Sequence, residues 1–359
     1  MSLPKVAVQI LFYNEPVEEA DALMASLEKI NYPRDSWQIF ILKSFHSDSK
    51  IAERLKTEWL PKIGQTLPTI TLLEQPNAGF AGGHVKLFEV DKDWQPDFLY
   101  LLNGDAVADP NCLLKAVEVA EVNPNAALIQ SLIMLEDKEH LNSIGNAMHF
   151  LGFGFSLGAN QRLKELKNNL PIFYPSGAGV LVRTSILEKI HGLFDPLYFL
   201  YHEDLDLGWR ARLAGYDIIL APESKIFHHY EFSKSIKKFY FMERNRHLTN
   251  LVNYKWPTLL LLVPAAFVME AGTLVFSFKS GWWKEKLRSY LYFFRPTTWC
   301  WIFCRRAKVR KFRIKTDREM MNFMTGQIIN QEVDSPIMKF LVNPVMSFYF
   351  SVLKLVVRW

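Results

Sequence analysis

The first hundred residues alternate short apolar runs with segments whose apolar residues recur at helical spacing. This alternation is typical of parallel strands joined by crossover helices, and it predicts an α/β fold. The expected strands are residues 6–12, 38–43, 69–74 and 98–102, and the expected helices are 17–29 and 51–60. Ligands of such open sheets bind beyond the carboxyl ends of the strands. Asn14, Asn77 and residues 103–105 all fall at such ends.

A carboxylate, Asp105, stands just past the fourth expected strand. Hard oxygen ligands suit magnesium or manganese, and a bound cation can neutralise the charge on a leaving diphosphate. An aspartate at this position is also a common turn former or helix cap. Asp105 alone is therefore a weak sign of a metal site.

Three acidic residues, Glu203, Asp204 and Asp206, open an amphipathic segment that is expected to be a helix. The helix dipole favours acidic residues at this end, but three together exceed what capping requires. A carboxylate held in a cleft can remove the proton from an attacking hydroxyl. This segment therefore predicts a general base.

Two adjacent histidines, His228 and His229, end another expected strand. Imidazole can complete a manganese shell begun by an aspartate. Neighbouring residues on a strand point to opposite faces, so at most one of the two histidines is expected to be a ligand.

The last third of the chain combines apolar runs with basic residues. Residues 256–278 are apolar apart from Glu270, and about 20 such residues can cross a bilayer. Basic residues flank both ends, and positive charge favours the cytoplasmic side. Because Pro264 can bend a helix, an interfacial or re-entrant segment satisfies both flanks better than a single crossing, with a buried core helix as the alternative. A second apolar stretch covers residues 340–357.

These features predict a division into residues 1–255 and a helical, membrane-associated region at 256–359. The net charge is +5, and the basic residues crowd beside the apolar runs, which favours an anionic membrane surface as partner. No nucleic-acid-binding signature accompanies them, so no nucleic acid is expected. The first residues lack the pattern of a signal peptide, and the catalytic part is expected at the cytoplasmic face of the membrane. The three cysteines are expected to be inert packing residues.

An ordered series of short motifs gives a more specific indication. They are FYNE at 12–15, NAGFAGG at 77–83, LNGD at 102–105, SG at 176–177, GLFD at 192–195, ED at 203–204, His228 and RN at 244–245. In this order the chain resembles family 2 of the glycosyltransferases, and particularly bacterial rhamnosyl- and galactofuranosyltransferases. The resemblance implies a GT-A fold and an inverting transfer of a sugar from a nucleotide-sugar donor. The acceptor would be a hydroxyl of a growing surface glycan or of a lipid-linked glycan.

The resemblance also implies roles for individual residues. Asp105 and His228 would hold a divalent metal, Mn²⁺ or Mg²⁺, while Asp204 would be the catalytic base and Glu203 would orient the site. The implied donor-binding residues are Phe12, Asn14, Asn77, Gly79, Gly82, Asn103 and Asp105. Those implied for the sugar or acceptor pocket are Ser176, Gly177, Trp209 and Arg210, and Arg244 is the candidate for phosphate contact.

Three positions depart from the family pattern. Lys43 stands where the family has an aspartate that reads the nucleobase, Gly104 fills the middle of the metal motif, and His84 replaces an asparagine. Lys43 slightly favours an alternative, a non-catalytic nucleotide-sugar-binding membrane module, but Asp105, Asp204 and His228 argue against it. A processive polysaccharide synthase would need several spanning helices and a downstream aromatic-arginine motif, and neither is found.

Overall fold

A mixed sheet forms the centre of the molecule. We describe the fold from a computed structural model, which describes residues 3–44, 49–165, 170–229, 238–329 and 336–359. The strands are β1 (Val6–Phe12), β2 (Trp37–Ser44), β3 (Ile70–Gln75), β4 (Phe98–Asn103), β5 (Ala106–Ala108), β6 (Ala126–Met134), β7 (Leu141–Ser143), β8 (Asn146–Met148), β9 (Gly154–Ser156), β10 (Gly179–Arg183) and β11 (Asp217–His228). The four strands expected before residue 103 are confirmed to within one residue at each end.

The order of the main sheet is β3-β2-β1-β4-β10-β6-β11-β5, and β7 adds to β6. Strands β3, β2, β1 and β4 run parallel, whereas β10 is antiparallel to both β4 and β6. Parallel strands need crossover connections, which explains the helices predicted between them. The antiparallel insertion of β10 places the chain after Ser176 beside the carboxyl end of β4.

Eleven α-helices are found in the described part of the chain. They are α1 (Val17–Leu27), α2 (Ser49–Arg54), α3 (Gly79–Asp91), α4 (Cys112–Val122), α5 (Glu203–Leu213), α6 (Lys238–Asn253), α7 (Trp256–Lys279), α8 (Trp283–Leu291), α9 (Pro296–Phe312), α10 (Asp317–Met321) and α11 (Asn343–Val356). Helices α1 and α4 pack with the apolar face of β1 that carries Val8, while α3 and α5 share the opposite core with Ala7. The sheet is thus covered on both faces, as parallel sheets require.

The C-terminal helices share their core with the α/β part. One cluster of buried residues contains Leu248 and Val252 of α6 together with Leu262 of α7 and Ile302 of α9. Backbone hydrogen bonds also cross between the two parts, and Ile314 donates to Leu213. The chain turns between helices at Lys255, where the division was predicted, but the apolar core continues across that point.

Helix α7 exposes most of its apolar surface. Only 17% of the most apolar stretch of α7 is buried. The most apolar stretch of the helical segment Met338–Val356 is also 17% buried. Leu260 and Phe267 are 73% and 75% exposed. A buried core helix would show the reverse, so that interpretation of residues 256–278 is wrong. Both helices are long and apolar enough to cross a membrane by length and composition.

The cysteines only partly follow the expectation. Cys112 is buried in the core, and burial raises the pKa of its thiol to about 12. Cys300 and Cys304 lie exposed on α9, so their assignment as packing residues is wrong.

Candidate functional site

A carboxylate and an imidazole meet at the carboxyl end of the sheet. Antiparallel pairing of β5 with β11 places His228 opposite Ala106, next to Asp105. His228 Nε2 lies 3.0 Å from Asp105 Oδ1 and 3.2 Å from Asn103 Nδ2. Asp105 keeps 29% of its side chain exposed, while 7% of His228 is exposed. The pair therefore faces solvent through the carboxylate and is backed by the sheet through the imidazole.

These atoms suit a hard or borderline divalent cation. An imidazole nitrogen and a carboxylate oxygen converge on one point, and both are ligands that manganese accepts. The pair supplies too few ligands to complete a shell, which leaves positions for phosphate oxygens and water. Asp105 and His228 can thus hold a metal that also contacts a diphosphate.

The second histidine points elsewhere. His229 Nδ1 lies 2.8 Å from Glu136 Oε1, and His229 Nε2 lies 4.0 Å from Glu19 Oε1. The His228 side chain contacts the Asp105 carboxylate, whereas the His229 backbone N–H donates to the Asp105 carbonyl oxygen at 3.2 Å and the His229 ring turns toward Glu136.

Another carboxyl group lies near this pair. Burial raises the pKa of Glu15, and the negative charge of Asp105 adds to the rise, although backbone N–H groups including that of Tyr13 oppose it. The Tyr13 amide donates to Glu15 Oε2 at 2.5 Å. Neighbouring Asn14 is exposed at the same strand end. A cation beside Asp105 would lower the repulsion between these carboxyl groups.

Asp204 lies in the first turn of α5. It accepts hydrogen bonds from the backbone N–H of Leu205 at 2.7 Å and of Gly177 at 3.4 Å. Burial raises the pKa of Asp204 to about 6, despite these N–H groups. A carboxylate with such a pKa is ionised at neutral pH and basic enough to accept a proton.

Glu203 is more deeply buried, with 5% exposed. Its Oε2 has no hydrogen-bond partner among the described residues. Burial raises the pKa of Glu203 well above its usual value, and the charge of Asp204 raises it further. Burial and the neighbouring charge thus favour the neutral form of Glu203, which can donate a hydrogen bond.

A short loop connects the acidic pair with the Asp105–His228 pair. Gly177 donates its backbone N–H to Asp204, and the next residue, Ala178, accepts from the backbone N–H of Asn103 at 3.2 Å. Ser176 is fixed from behind, because its N–H donates to the buried Gln130 side chain at 2.5 Å. Ser176 and Gly177 thus lie between the two groups of side chains.

The glycine-rich segment borders the same region. Asn77 Oδ1 accepts from the N–H of Gly79 at 2.8 Å, and Gly79 has a φ of +71°. A Cβ on Gly79 would overlap the carbonyl oxygen of Phe199, and one on Gly82 would come within 2.9 Å of Ala78 Cβ. Glycine is required at Gly79 for its conformation and for close packing against the loop that precedes α5.

That loop has unusual backbone geometry. Phe199, Tyr201 and His202 have φ values of +62°, +66° and +70°, which side-chain-bearing residues rarely adopt. Asn245 of α6 holds this loop through its side-chain amide, which contacts the carbonyls of Tyr198, Leu200 and Tyr201. Asn245 lies in the RN motif, but no individual role was predicted for it. Its function is to fix the segment that leads into Glu203.

Four residues assigned to the site lie in the core instead. Phe12 is 1% exposed, Trp209 is 0% exposed against the rings of Phe173 and Tyr254, and Arg210 is 1% exposed. The guanidinium of Arg210 donates to Asp206 and to three backbone carbonyls. Arg244 donates to the carbonyls of Leu197 and Tyr198 beneath three aromatic rings. These contacts do not support the donor-binding assignment of the Phe12 side chain, the pocket assignments of Trp209 and Arg210 or the phosphate role of Arg244, because each side chain is buried and the two arginines already have protein partners.

The third acid of the helix start, Asp206, is a structural residue. It accepts from Arg210 Nε at 2.7 Å and lies 3.5 Å from a guanidinium nitrogen of Arg305 on α9. Burial disfavours its charge, but these two cations outweigh burial and lower the pKa of Asp206. Asp206 therefore anchors α9 to α5.

Lys43 is buried at the end of β2, with 2% exposed. Its Nζ donates to the carbonyl of Ser44 at 3.2 Å. It pairs in register with Phe12 of β1 and Glu74 of β3. The polar run that follows, from Phe45 to Asp48, lies outside the described residues.

A different cluster has the composition of a metal site. In the described ranges, only Glu243, His247 and Glu270 form a group of three or more potential ligands close enough to share an ion. Arg246 and Lys286 already contact both carboxylates. The charges of both carboxylates are thus already balanced by Arg246 and Lys286, which take the role a metal ion would have. The cluster connects α6, α7 and α8.

Comparison with known proteins finds similarity to glycosyltransferases. The sequence model of "Glycosyl transferase family group 2" matches residues 98–306. The N-acetylglucosaminyl-diphospho-decaprenol L-rhamnosyltransferase of Mycobacterium tuberculosis is 26% identical over 155 residues, 39% of this chain and 50% of that protein. Rhamnosyltransferase WbbL of Escherichia coli K12 is 28% identical over 171 residues, 43% of this chain and 64% of that protein. The matched regions thus span about half to two thirds of these relatives.

A solved structure extends the likeness over most of the fold. A mannosyltransferase from Pyrobaculum calidifontis, in complex with GDP-Man and Mn²⁺, superposes with a TM-score of 0.52 over 87% of this chain and 86% of that chain. Sequence identity is 14%, so the likeness concerns the fold. This α/β architecture is the GT-A fold.

Proposed function

Because the chain belongs to glycosyl transferase family group 2, we propose that it is an inverting, metal-dependent transferase attached to a membrane. It would move a sugar from a nucleotide-diphosphate donor to a hydroxyl of a glycan or lipid-linked acceptor. The main support is the connection of Asp204 to the Asp105–His228 pair through Gly177 and Ala178. A base and a metal pair beside one cleft are the two components that this reaction needs.

In the proposed reaction, Asp204 takes the proton of the acceptor hydroxyl while that oxygen attacks the anomeric carbon of the donor. The bond from this carbon to the diphosphate oxygen breaks on the opposite face, so the configuration inverts. A divalent metal, when bound, would neutralise charge on the departing diphosphate, with Asp105 and His228 as its protein ligands.

The neighbouring groups prepare Asp204 for this role. Its raised pKa favours proton transfer, and the Gly177 N–H keeps one oxygen in place. The raised pKa of Glu203 favours its neutral form, which limits the negative charge beside the base. Asn77 and the glycine turn at Gly79 form the adjoining wall, where the donor would lie.

Membrane attachment is proposed from the exposed apolar faces of α7 and α11. Contiguous exposed apolar surface of this kind marks membrane or protein contacts. Glu270, the acidic residue of α7, faces the protein and pairs with Arg246 and Lys286. The remaining exposed face would enter the interface, where a lipid-linked acceptor resides, on the cytoplasmic side.

Nucleotide release tests this proposal. The full chain in detergent would be incubated with a panel of nucleotide sugars and manganese, with and without a lipid-linked glycan acceptor. We expect acceptor-dependent release of nucleoside diphosphate, loss of release with chelator, and an inverted anomeric configuration in the product by NMR. Donor binding without turnover for any acceptor would instead identify a non-catalytic nucleotide-sugar-binding module.

A further inference from the structure

A cavity of about 460 Å³ lies between the α6–α7 junction and α9. We call it the basic pocket, and it is lined by Val252, Tyr254, Lys255, Trp256, Pro257, Phe303, Arg306, Ala307, Val309, Arg310 and Arg313. None of these residues belongs to the proposed transfer site. The pocket therefore needs an explanation of its own.

Four cations line the pocket, and one carboxylate opposes them. Arg313 contacts Asp317 at 2.7 Å and donates to the carbonyl of Asn253. Arg306 donates to the carbonyl of Leu251. Lys255 and Arg310 make no side-chain ion pair within the part of the chain that the structure describes. Positive charge is thus in excess inside a small concave space.

The crowding of these cations has an electrostatic consequence. Burial, followed by the positive charge of Arg313, lowers the pKa of Arg306 to about 10. Arg306 remains charged at neutral pH, so an anion that enters the pocket would relieve the repulsion between the two guanidinium groups. One guanidinium group can donate two parallel hydrogen bonds to two oxygens of a phosphate. Phosphate therefore suits these arginines well.

Aromatic rings also line the pocket, beside the cations. Trp256 and Phe303 are 46% and 56% exposed, and Arg306 lies 4.1 Å from the centre of the Trp256 ring. Trp256 begins α7, whose exposed apolar residues follow at Leu260 and Val263. Tryptophan is enriched where membrane meets water. The pocket thus lies where the basic surface of α9 meets the apolar surface of α7.

We propose that the basic pocket binds the phosphate headgroup of an anionic membrane lipid, whose acyl chains lie along the exposed face of α7. This inference rests on the proposed membrane attachment and not on the chemistry of transfer. The pocket then fixes the position of the protein at the membrane surface through a defined lipid contact.

Vesicle flotation of the full chain tests the proposal. The vesicles would contain phosphatidylcholine alone or phosphatidylcholine with phosphatidylglycerol. The pocket variant is Lys255→Gln/Arg310→Gln, which leaves the buried contacts of Arg306 and Arg313 intact. Its control is Lys308→Gln/Lys311→Gln, which removes the same number of charges at two positions of α9 that do not line the pocket.

We expect the pocket variant to bind phosphatidylglycerol vesicles at least about tenfold more weakly than the control, since charges that line one pocket act together on a bound headgroup at contact distance, whereas charges outside it act only on the general surface potential. Unchanged circular dichroism would exclude unfolding. Equal losses in the two variants would overturn the pocket but leave membrane attachment standing. Failure of the parent protein to bind any vesicle would instead refute the attachment.

A soluble ligand separates the lipid from free phosphate. The parent protein in detergent should be stabilised against heat by short-chain phosphatidylglycerol, and the pocket variant should not. Equal stabilisation by inorganic phosphate at the same concentration would mean that the pocket takes free phosphate, and the lipid assignment would be wrong.

Discussion

The side-chain amide of Asn245 donates a hydrogen bond of 2.7 Å to the carbonyl oxygen of Tyr201, two residues before Glu203. The same nitrogen lies 2.9 Å from the carbonyl oxygens of Tyr198 and Leu200. Asn245 is fully buried. One side chain on α6 therefore holds the left-handed loop that sets the start of α5 and, with it, the direction of Asp204.

We predict that Asn245→Ala lowers kcat by more than tenfold while the KM for the donor changes little. Loss of the amide removes the donor of the part-buried Leu200 and Tyr201 carbonyls, which costs about 1–3 kcal/mol, and frees the loop to relax away from its strained conformation. Steady-state kinetics and thermal unfolding would be measured together.

Asn250→Ala is the matched control for Asn245. Asn250 lies on the same helix and donates to the carbonyl of Leu151, outside the loop. It should lose stability without a comparable loss of kcat. If both variants lose kcat in proportion to their stability, Asn245 has only a structural role.

We predict that Asp204→Asn lowers the transfer rate by roughly 10²-fold or more and keeps donor affinity, the order expected when a positioned base is removed. Transfer and isothermal binding of the donor would be measured on the same preparation. Near-parental turnover would move the base to another group.

Glu203→Gln is the informative partner of that variant. Burial and the charge of Asp204 raise the pKa of Glu203 and favour its neutral form, and glutamine preserves the shape and the hydrogen-bond donor of that form. We expect activity within a few-fold of the parent. A loss as large as that of Asp204→Asn would mean that Glu203 acts in its ionised form.

The pH dependence follows from the same carboxyl group. Burial raises the pKa of Asp204 to about 6, and the base must be ionised to accept a proton. We therefore expect kcat/KM to fall as the pH drops through about 6 and to level off above it. A profile that is flat down to pH ~4, near the usual value for an aspartate, would exclude Asp204 as the base.

We predict that Asp105→Ala abolishes manganese-dependent donor binding and that His228→Ala weakens it less. A carboxylate contributes both charge and ligation, whereas a neutral imidazole contributes ligation alone. His229→Ala is the control, because the His229 side chain contacts Glu136 and its backbone hydrogen bond to the Asp105 carbonyl is kept in the variant. Calorimetric titration of donor with and without manganese would measure the effect. Parental affinity in the Asp105 variant would refute the metal assignment.

Local patterns made the first half of the fold predictable. Strand β1 was expected and found at residues 6–12. Its apolar content and the spacing of its apolar residues can be read from the segment alone, without knowledge of its neighbours in the fold. The approach of Asp105 to His228 was expected from the family order of motifs. Its structural cause, the pairing of β5 with β11, has no local signal because β5 is only three residues long.

The burial of Trp209 and Arg210 depends on contacts with residues that come late in the chain. Trp209 and Arg210 follow the acidic pair on an amphipathic helix, so a place at the site was a reasonable expectation. Helices α6 and α9 cover α5, however, and Arg305 reaches Asp206 from α9. The sequence of residues 203–213 contains no signal that α6 and α9 pack over this helix. It also contains no signal for the contact of Asn245 with the loop before α5.

The last prediction concerns the exposed face of α7. The core continues across Lys255, so removal of residues 256–359 would also expose part of the core of the α/β region. Point variants of the full chain are therefore the better test. We predict that Leu260→Gln/Phe267→Gln weakens flotation with phosphatidylcholine vesicles by about tenfold or more, because each side chain contributes roughly 1.5–3 kcal/mol when fully buried in an apolar phase.

Val122→Gln is the control, since Val122 is an exposed apolar residue, 77% accessible, at the end of α4 in the α/β part. It should float like the parent. Equal flotation of all three proteins would show that α7 does not enter the membrane, and its exposed face would then have to bind another protein surface.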